Sequence, residues 1–189
     1  MGEGESIFIL EKTMRSCFEF IKKKTNHKLV GAEIGVREGI NAEDILKNLN
    51  VKKLYLVDSW QGKGARFFKI VHNKFSNDKK VCILKVTSVM ASKLITEPLD
   101  FVYIDANHSY KAVLHDLRIW TKKVKSGGFV CGHDYTKIWP GVRGAVWKFC
   151  AKRNIRYSIQ TNGEKAGYKG RTSISCNWWF QKGGENEVN

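Results

Sequence analysis

Apolar runs of strand length alternate with segments of helical periodicity along most of this chain. Between the runs, apolar residues recur at three- and four-residue steps, as they do on the buried face of a helix. This alternation is typical of a parallel sheet covered by helices, so we expect an α/β fold. The predicted parallel strands are 29–34, 53–58, 81–86, 100–105 and 129–134.

Helices are predicted before, between and after these strands. The first helix, at residues 7–24, would bury Leu10, Met14, Phe18 and Ile21 on one face. The remaining helices are expected to begin near residues 41, 67, 90, 109 and 142. Gly127 and Gly128 are predicted to end the helix that begins at Ser109, because glycine commonly takes the left-handed position after a helix.

The end of the chain predicts an antiparallel hairpin at the edge of the sheet. Two extended runs, 155–160 and 173–181, are separated by a stretch rich in Gly and Lys, which we expect to form a loop. Trp178 and Trp179 are adjacent in the second run. Side chains alternate along a strand, so one of these rings should lie on each face of the sheet.

The length and composition favour a single domain. The chain has 189 residues, of which 42% are hydrophobic, which is enough for one sizeable core. We expect an N-terminal helix in residues 1–27, a core in 28–181 and a tail in 182–189. There is neither a signal-peptide pattern at the start nor an apolar run long enough to span a bilayer, which predicts a cytoplasmic protein without a membrane partner. The five cysteines include no CxxC pair, which argues against a disulfide framework or a zinc cluster.

Chemically informative residues cluster at the predicted carboxyl ends of the strands. Ligands of open parallel sheets bind outside those ends, near the point where the strand order reverses. Acidic residues are scarce in this chain, yet most of these strand ends carry one. The residues at the strand ends are Glu33 with Gly35, Asp58, Thr87 with Ser88, Asp105, and His133 with Asp134.

The first strand-to-helix turn, within 31-GAEIGVREGI-40, indicates the kind of ligand. Gly35 allows close backbone approach, Gly39 lets the helix start near the strand, and the N–H groups there can bind a carboxylate. Glu33 would repel a pyrophosphate but could bind an ammonium group. Asp58 lies where an acid accepts hydrogen bonds from ribose hydroxyls. A nucleoside that carries an amino acid, such as S-adenosylmethionine, satisfies all three features.

Four segments now resemble the class I S-adenosylmethionine-dependent methyltransferases, in particular the small-molecule O-methyltransferase branch with its catechol, caffeoyl-CoA and macrolide-sugar relatives. The segments are 32-AEIGVREG-39, 54-LYLVDSW-60, 102-VYIDANHSYKAVLHDLRIW-120 and 127-GGFVCGHDY-135. The resemblance implies a Rossmann-like, doubly wound, seven-stranded sheet of order 3-2-1-4-5-7-6 whose last strand is antiparallel.

The same resemblance implies roles for the residues at the strand ends. The methionine end of the cofactor would bind to Glu33, Gly35 and Gly39. The ribose would bind to Asp58 and Ser59, and the adenine edge would bind to Thr87 and Ser88. Arg37 departs from the family pattern, because this position is often glycine.

Methyl transfer from a sulfonium requires alignment of the nucleophile and removal of its proton. Asp105, His108 and Asp134 are the candidate catalytic residues, and histidine with its ordinary pKa can act as a base near neutrality. The resemblance implies that Asp105 and Asp134 could also bind Mg²⁺, although Tyr135 replaces an expected Asn. His108 could instead cap a helix or orient a neighbour, and His133 could be a ligand or an orienting group.

The acceptor is less constrained by the sequence. The segment 105-DANH-108 lacks the [DNS]PP[YF] motif of nucleic-acid amino-methyltransferases, which favours an oxygen acceptor. Loops 60–67, 135–142 and 161–171 would supply basic and aromatic groups around the pocket, suited to a small anionic or sugar-like molecule. The net charge of +15 keeps two alternatives open, namely a nucleic-acid methyltransferase and a non-catalytic nucleotide- or RNA-binding module.

Two further expectations remain. We expect Asp116, on the helix that follows Asp105, to form a structural ion pair rather than a catalytic contact. A homodimer is also possible for a domain of this class.

Overall fold

A computed structural model describes residues 14–168 and 171–183, without the side chains of 162–168, 171–173 and 175. The helices are α1 (Ser16–Lys24), α2 (Ile40–Asn48), α3 (Ala65–Phe75), α4 (Ser88–Leu94), α5 (Tyr110–Lys123) and α6 (Pro140–Ala151). The strands are β1 (Leu29–Ile34), β2 (Val51–Asp58), β3 (Val81–Lys85), β4 (Leu99–Ile104), β5 (Val124–Gly132), β6 (Ser158–Tyr168) and β7 (Arg171–Gln181). A single 3₁₀ turn, Gly62–Gly64, precedes α3.

The seven strands form one sheet of order β3-β2-β1-β4-β5-β7-β6. The first five strands pair in parallel, and β7 pairs antiparallel with both β5 and β6. This confirms the predicted Rossmann-like fold class and strand order. The strand order reverses at β1 and β4, and the carboxyl ends of these two central strands therefore flank the expected ligand site.

Helices cover both faces of the sheet because the central strands are apolar on both sides. Every residue of β1 and β4 is buried. Residues from α4, α5 and α6 pack on one face, and residues from α1, α2 and α3 pack on the other. Trp178 belongs to the first layer and Trp179 to the second, which confirms the predicted alternation.

The first helix is confirmed from Ser16 to Lys24, but it begins later than predicted, because Met14 and Arg15 are described and lie before it. Phe18 and Ile21 are fully buried, and Met14 packs against the same core layer. The predicted segment 7–13, which includes Leu10, lies outside the described residues.

The predicted helix stop at Gly127 and Gly128 is wrong. Helix α5 ends at Lys123, and β5 begins at the next residue, Val124, which pairs with Leu99. The two glycines lie within β5 at a break in its register with β4. Gly127 has φ +78°, and a Cβ on Gly128 would stand 2.6 Å from the Asp100 carbonyl oxygen. The glycines therefore accommodate an irregular strand rather than a helix end.

The predicted loop between the last two strands is also wrong. Strands β6 and β7 continue until Tyr168 pairs with Arg171, with a register shift between Thr161 and Lys165. The Gly and Lys content suggested a loop, but backbone pairing across a bulged hairpin tolerates those residues. Among the described residues, no helix combines the length and apolar character needed to cross a bilayer.

Candidate cofactor and catalytic site

A cavity of about 1470 Å³ opens at the carboxyl ends of the central strands. Most of the residues predicted for the site line its wall: Gly35, Asp58, Ser59, Thr87, Ser88, Asp105, His108 and Asp134. Two predicted cofactor residues, Glu33 and Gly39, are not among its described lining residues. The 135–142 loop contributes Ile138 to Gly141, whereas no described residue of the predicted loop 60–67 reaches the cavity wall.

The turn after β1 is shaped by two left-handed glycines. Gly35 has φ +92°, and a Cβ there would stand 2.2 Å from the Asp105 carbonyl oxygen. Gly39 has φ +83°, and a Cβ there would stand 2.7 Å from the Phe75 ring. Gly35 thus allows β1 and β4 to approach beside the cavity, while Gly39 allows α2 to pack against α3.

Asp58 fastens this turn to the end of β2. Its Oδ2 accepts hydrogen bonds from the backbone N–H groups of Val36 (3.1 Å) and Arg37 (2.9 Å). Its Oδ1 accepts one from the N–H of Trp60 at 2.8 Å. The expectation that turn N–H groups are free for a cofactor carboxylate is therefore wrong for Val36 and Arg37. Asp58 still faces the cavity, and its ribose contact stays a prediction.

Arg37 lines the cavity, but most of its side chain is exposed to solvent. It is 72% exposed, lies over the Phe67 ring at 5.4 Å and stands 3.7 Å from a Glu38 carboxylate oxygen. Its backbone adopts φ +53°, and its carbonyl accepts a hydrogen bond from Trp60 Nε1 at 2.8 Å. Arg37 therefore replaces the usual glycine by keeping a left-handed backbone that the neighbouring strand end holds in place.

Glu33 is buried immediately below the turn. It is 1% exposed, and Asn41 Nδ2 donates to its Oε1 at 3.0 Å. Among the described residues, no donor reaches its Oε2. Burial raises the pKa of Glu33 to about 8, more than the Asn41 hydrogen bond lowers it. At pH 7 Glu33 is therefore mostly a protonated carboxyl group, and its unsatisfied Oε2 would fit an ammonium group once the proton is lost.

Arg15, which sequence reasoning missed, brings a positive charge to the cavity wall. It precedes α1 and is 6% exposed. Its guanidinium donates to Asn177 Oδ1 at 3.2 Å and lies 5.8 Å from the centre of the Tyr103 ring. Its positive charge lowers the pKa of Glu33, against the larger effect of burial. Contacts between residues so distant in sequence leave no local signal.

At the β3 end, Thr87 and Ser88 have structural partners. Thr87 Oγ1 accepts from the N–H of Met90 at 3.3 Å and so caps α4. Ser88 Oγ donates to Asp116 Oδ1 at 2.5 Å and accepts from Trp120 Nε1 at 2.8 Å. The ion pair predicted for Asp116 is wrong, because its hydrogen-bond partner in the described part of the chain is this hydroxyl rather than a cation.

The three predicted catalytic side chains meet on the opposite wall. His108 Nε2 lies 3.2 Å from Asp105 Oδ1 and 3.1 Å from Asp134 Oδ2. His133 Nδ1 lies 3.4 Å from Asp134 Oδ1, so it joins the same cluster. Trp139 covers the His108 ring with a centroid separation of 4.4 Å. Asp134 has φ +58°, which marks backbone strain at this position.

The two carboxylates change the protonation state of His108. Burial would lower its pKa, but the hydrogen bonds to Asp105 and Asp134 together outweigh it and raise the pKa to about 9. The ordinary pKa assumed from the sequence is therefore wrong for this site. In this arrangement the ring is an imidazolium at neutral pH, held between two carboxylates.

The same atoms fit a divalent cation. Ligand atoms from Asp105, His108 and Asp134 all lie within 4.8 Å of one another. The hydroxyl of Tyr135, which replaces the expected Asn, lies 2.9 Å from that of Tyr157. Mg²⁺ prefers oxygen ligands only, so two carboxylates with an imidazole suit a cation such as Mn²⁺ or Zn²⁺ better.

Known structures share this fold at low sequence identity. An O-methyltransferase from Bacillus cereus in complex with SAH matches with a TM-score of 0.64 and 14% identity, covering 88% of this chain and 80% of that one. The N-methyltransferase NodS from Bradyrhizobium japonicum matches at 0.65 and 13%, covering 88% and 92%. An rRNA methylase from Streptococcus thermophilus matches at 0.64 and 10%, covering 88% and 93%.

The family is established by sequence. No curated protein sequence matches this chain significantly. A family model described as a methyltransferase domain matches residues 32–135, from the glycine turn to the end of the catalytic cluster. The matched range contains Gly35, Asp58, His108 and Asp134, which line the cavity. The chain therefore belongs to the methyltransferase-domain family and is an enzyme of the class I S-adenosylmethionine-dependent type.

Proposed function

We propose that this enzyme transfers a methyl group from S-adenosylmethionine to an oxygen of a small polar acceptor, either sugar-like or anionic. The observation that carries the proposal is the Asp105–His108–Asp134 cluster, which shares one cavity with the glycine turn. A cluster of this kind can take a proton from a hydroxyl, whereas a nucleobase amine needs no such base before attack.

The cofactor end of the cavity can hold an amino acid and a nucleoside together. Oε2 of Glu33 suits the ammonium group, and Arg15 supplies a nearby positive charge for the carboxylate. Asp58 and Ser59 lie where the ribose hydroxyls are expected, and Thr87 and Ser88 border the expected adenine position. When bound, the cofactor supplies a methyl group activated by a sulfonium.

The protein contributes alignment and proton transfer. The cluster would orient the acceptor hydroxyl towards the bound cofactor and would take its proton as the methyl group is transferred. An oxygen of Asp105 or Asp134 can receive the proton, as can His108 Nε2 once that nitrogen has lost its own proton. Trp139 packs against His108, and with Ile138, Pro140 and Gly141 it lines this end of the cavity, where these residues would limit the entry of water.

A divalent cation could share this cluster. Asp105 and Asp134 would hold it with His108, and it would supply Lewis acidity that lowers the pKa of the acceptor hydroxyl. We expect Mn²⁺ to support activity better than Mg²⁺, because one ligand is a nitrogen. Loss of activity in EDTA and its recovery with Mn²⁺ would support this part of the proposal, and full activity in EDTA would exclude a required cation.

The proposal is tested by product analysis with isotopically labelled S-adenosylmethionine. Purified wild-type enzyme is incubated with pools of hydroxylated small molecules, and labelled products are identified by mass spectrometry. Asp134→Asn should reduce turnover by about 10²-fold or more while cofactor affinity stays within about threefold. Failure of the wild type to bind S-adenosylmethionine in calorimetry would refute the proposal and favour a non-catalytic module.

A nucleic-acid methyltransferase is the second candidate, favoured by the net charge of +15. If RNA is the acceptor, its ribose hydroxyl would occupy the same cluster, and RNA binding should weaken steeply as salt increases. Micromolar RNA affinity with a steep salt dependence, together with label transfer to RNA, would replace the small-molecule acceptor. Weak binding that is insensitive to salt would exclude the nucleic-acid alternative.

A further inference from the structure

One part of the cavity wall lies between α4 and α5. Ser88 and Val89 line it from α4, and Ala112, His115 and Asp116 line it from α5. Val89 is 42% exposed although it is apolar, so a hydrophobic surface faces the open cavity. Together with Ala112, it forms an apolar wall next to a single buried acid, Asp116.

The Asp116 carboxylate is oriented from behind by a chain of hydrogen bonds. The Trp120 indole nitrogen can only donate, so Ser88 Oγ must accept its bond at 2.8 Å. Ser88 therefore directs its single O–H to Asp116 Oδ1, 2.5 Å away. The direction of both bonds is fixed, and the carboxylate is held in one orientation.

The second oxygen of this carboxylate is available to a ligand. Asp116 is 6% exposed, yet it lines the cavity. Within the described part of the chain, the Ser88 hydroxyl is the one hydrogen-bond donor to Asp116, and it bonds Oδ1. The protein does not enclose this second oxygen, so a ligand in the cavity can reach it with an N–H or O–H group.

We propose that Asp116 is a specificity residue that accepts a hydrogen bond from the exocyclic amino group of the cofactor's adenine. The apolar wall of Val89 and Ala112 suits a flat aromatic ring, and a 6-aminopurine presents an N–H donor at its edge. A 6-oxopurine would instead place a carbonyl oxygen against the carboxylate, which is repulsive. This inference rests on the proposed cofactor, and it makes Ser88 a positioning residue rather than a direct adenine contact.

Calorimetry with two product analogues tests the inference. Wild-type enzyme should bind S-adenosylhomocysteine about 10- to 100-fold more tightly than S-inosylhomocysteine, as expected when a polar contact is replaced by a repulsive one. Asp116→Asn presents both a donor and an acceptor at nearly the same shape, so the ratio should fall to about threefold or less. Ser88→Ala should lower the ratio to an intermediate value, because the carboxylate loses its fixed orientation.

The matched control is Asp78→Asn, in which a loop carboxylate that accepts from the Lys80 N–H loses its charge. This variant should retain the wild-type ratio. Equal wild-type affinity for the two analogues, or an unchanged ratio in Asp116→Asn, would overturn the role of Asp116 while leaving the proposed function intact. Absence of wild-type binding to S-adenosylhomocysteine would overturn the proposed cofactor itself. The wild-type ratio requires no variant, so a folding defect in Asp116→Asn cannot obscure the result.

Discussion

Replacement of Glu33 by Gln should change how the stability of this enzyme depends on pH. Glu33 is 1% exposed, and burial raises its pKa from an ordinary 4.5 to about 8. As pH rises above 4.5, the unfolded chain releases this proton while the folded chain keeps it. Protonated Glu33 therefore makes its full contribution to the free energy of unfolding below pH 4.5, and this contribution is lost as pH rises towards 8.

The magnitude follows from proton linkage. Each pH unit between the two pKa values changes the free energy of unfolding by about 1.36 kcal/mol. Between pH 5 and pH 7, the Glu33 contribution should therefore decrease by roughly 2.5 kcal/mol, with allowance for partial titration near pH 5. The amide introduced by Glu33→Gln can still accept a hydrogen bond from Asn41 but has no proton to release, so the variant should lack this loss.

The assay is urea denaturation of both proteins at pH 5, 6 and 7. The free energy of unfolding of Glu33→Gln should rise relative to wild type by roughly 2.5 kcal/mol across this range. Glu43→Gln is the control, because Glu43 is a surface residue, 50% exposed, paired with Lys74 at 2.8 Å. Its stability difference from wild type should be nearly constant. Parallel pH profiles for wild type and Glu33→Gln would refute the buried, protonated state of Glu33.

Three further predictions concern the cofactor end of the site. First, S-adenosylhomocysteine binding at pH 7 should release close to one proton from wild type and none from Glu33→Gln. Calorimetry in buffers of different ionisation enthalpy measures this proton release. Equal release from the two proteins would exclude the contact between Glu33 and the ammonium group. Second, Asp58→Ala leaves three backbone N–H groups without their acceptor. This variant should lose about 2–4 kcal/mol of stability and at least about tenfold in cofactor affinity. An unchanged melting temperature would contradict the role of Asp58 in holding the turn. Third, Gly35→Ala should abolish cofactor binding, because the added Cβ would meet the Asp105 backbone. Gly64→Ala, whose Cβ meets no atom within 4 Å, should bind the cofactor normally. Cofactor binding by both variants would refute the close packing of Gly35 against Asp105.

The fold was predictable because hydrophobic periodicity reports burial directly. Strands β1 and β4 are buried on both faces, so they form continuous apolar runs in the sequence. The errors lie where glycine has more than one use. Gly127 and Gly128 follow an amphipathic helix, as a helix stop would, yet they accommodate a break in the register of β5. Local sequence does not distinguish a helix end from a strand irregularity, because both require small residues with unusual dihedral angles.

The candidate site was partly predictable for a geometric reason. Parallel strands bring their carboxyl ends to one edge, so Asp58, Asp105 and Asp134 had to converge near the first turn. Arg15 and Asn41 were missed, because Arg15 reaches the site from the segment before α1 and Asn41 from the first turn of α2. Only tertiary packing decides which polar side chains on such segments turn towards the cavity, and periodicity carries no information about that choice.

Asp58 holds two strained residues, Arg37 and Trp60, in the conformation that shapes the site. Arg37 and Trp60 adopt φ values of +53° and +43°, each of which costs about 1–3 kcal/mol for a residue with a side chain. The same carboxylate accepts hydrogen bonds from the N–H groups of both residues, and Trp60 Nε1 bonds the Arg37 carbonyl. These three bonds offset the strain and hold the two turns together before any ligand arrives. Because each carboxylate oxygen has two lone pairs, Asp58 can hold the turns and still accept a ribose hydroxyl. An arginine therefore suffices where a glycine is usual, since the conformation is imposed by the neighbouring strand end rather than by freedom of the residue itself.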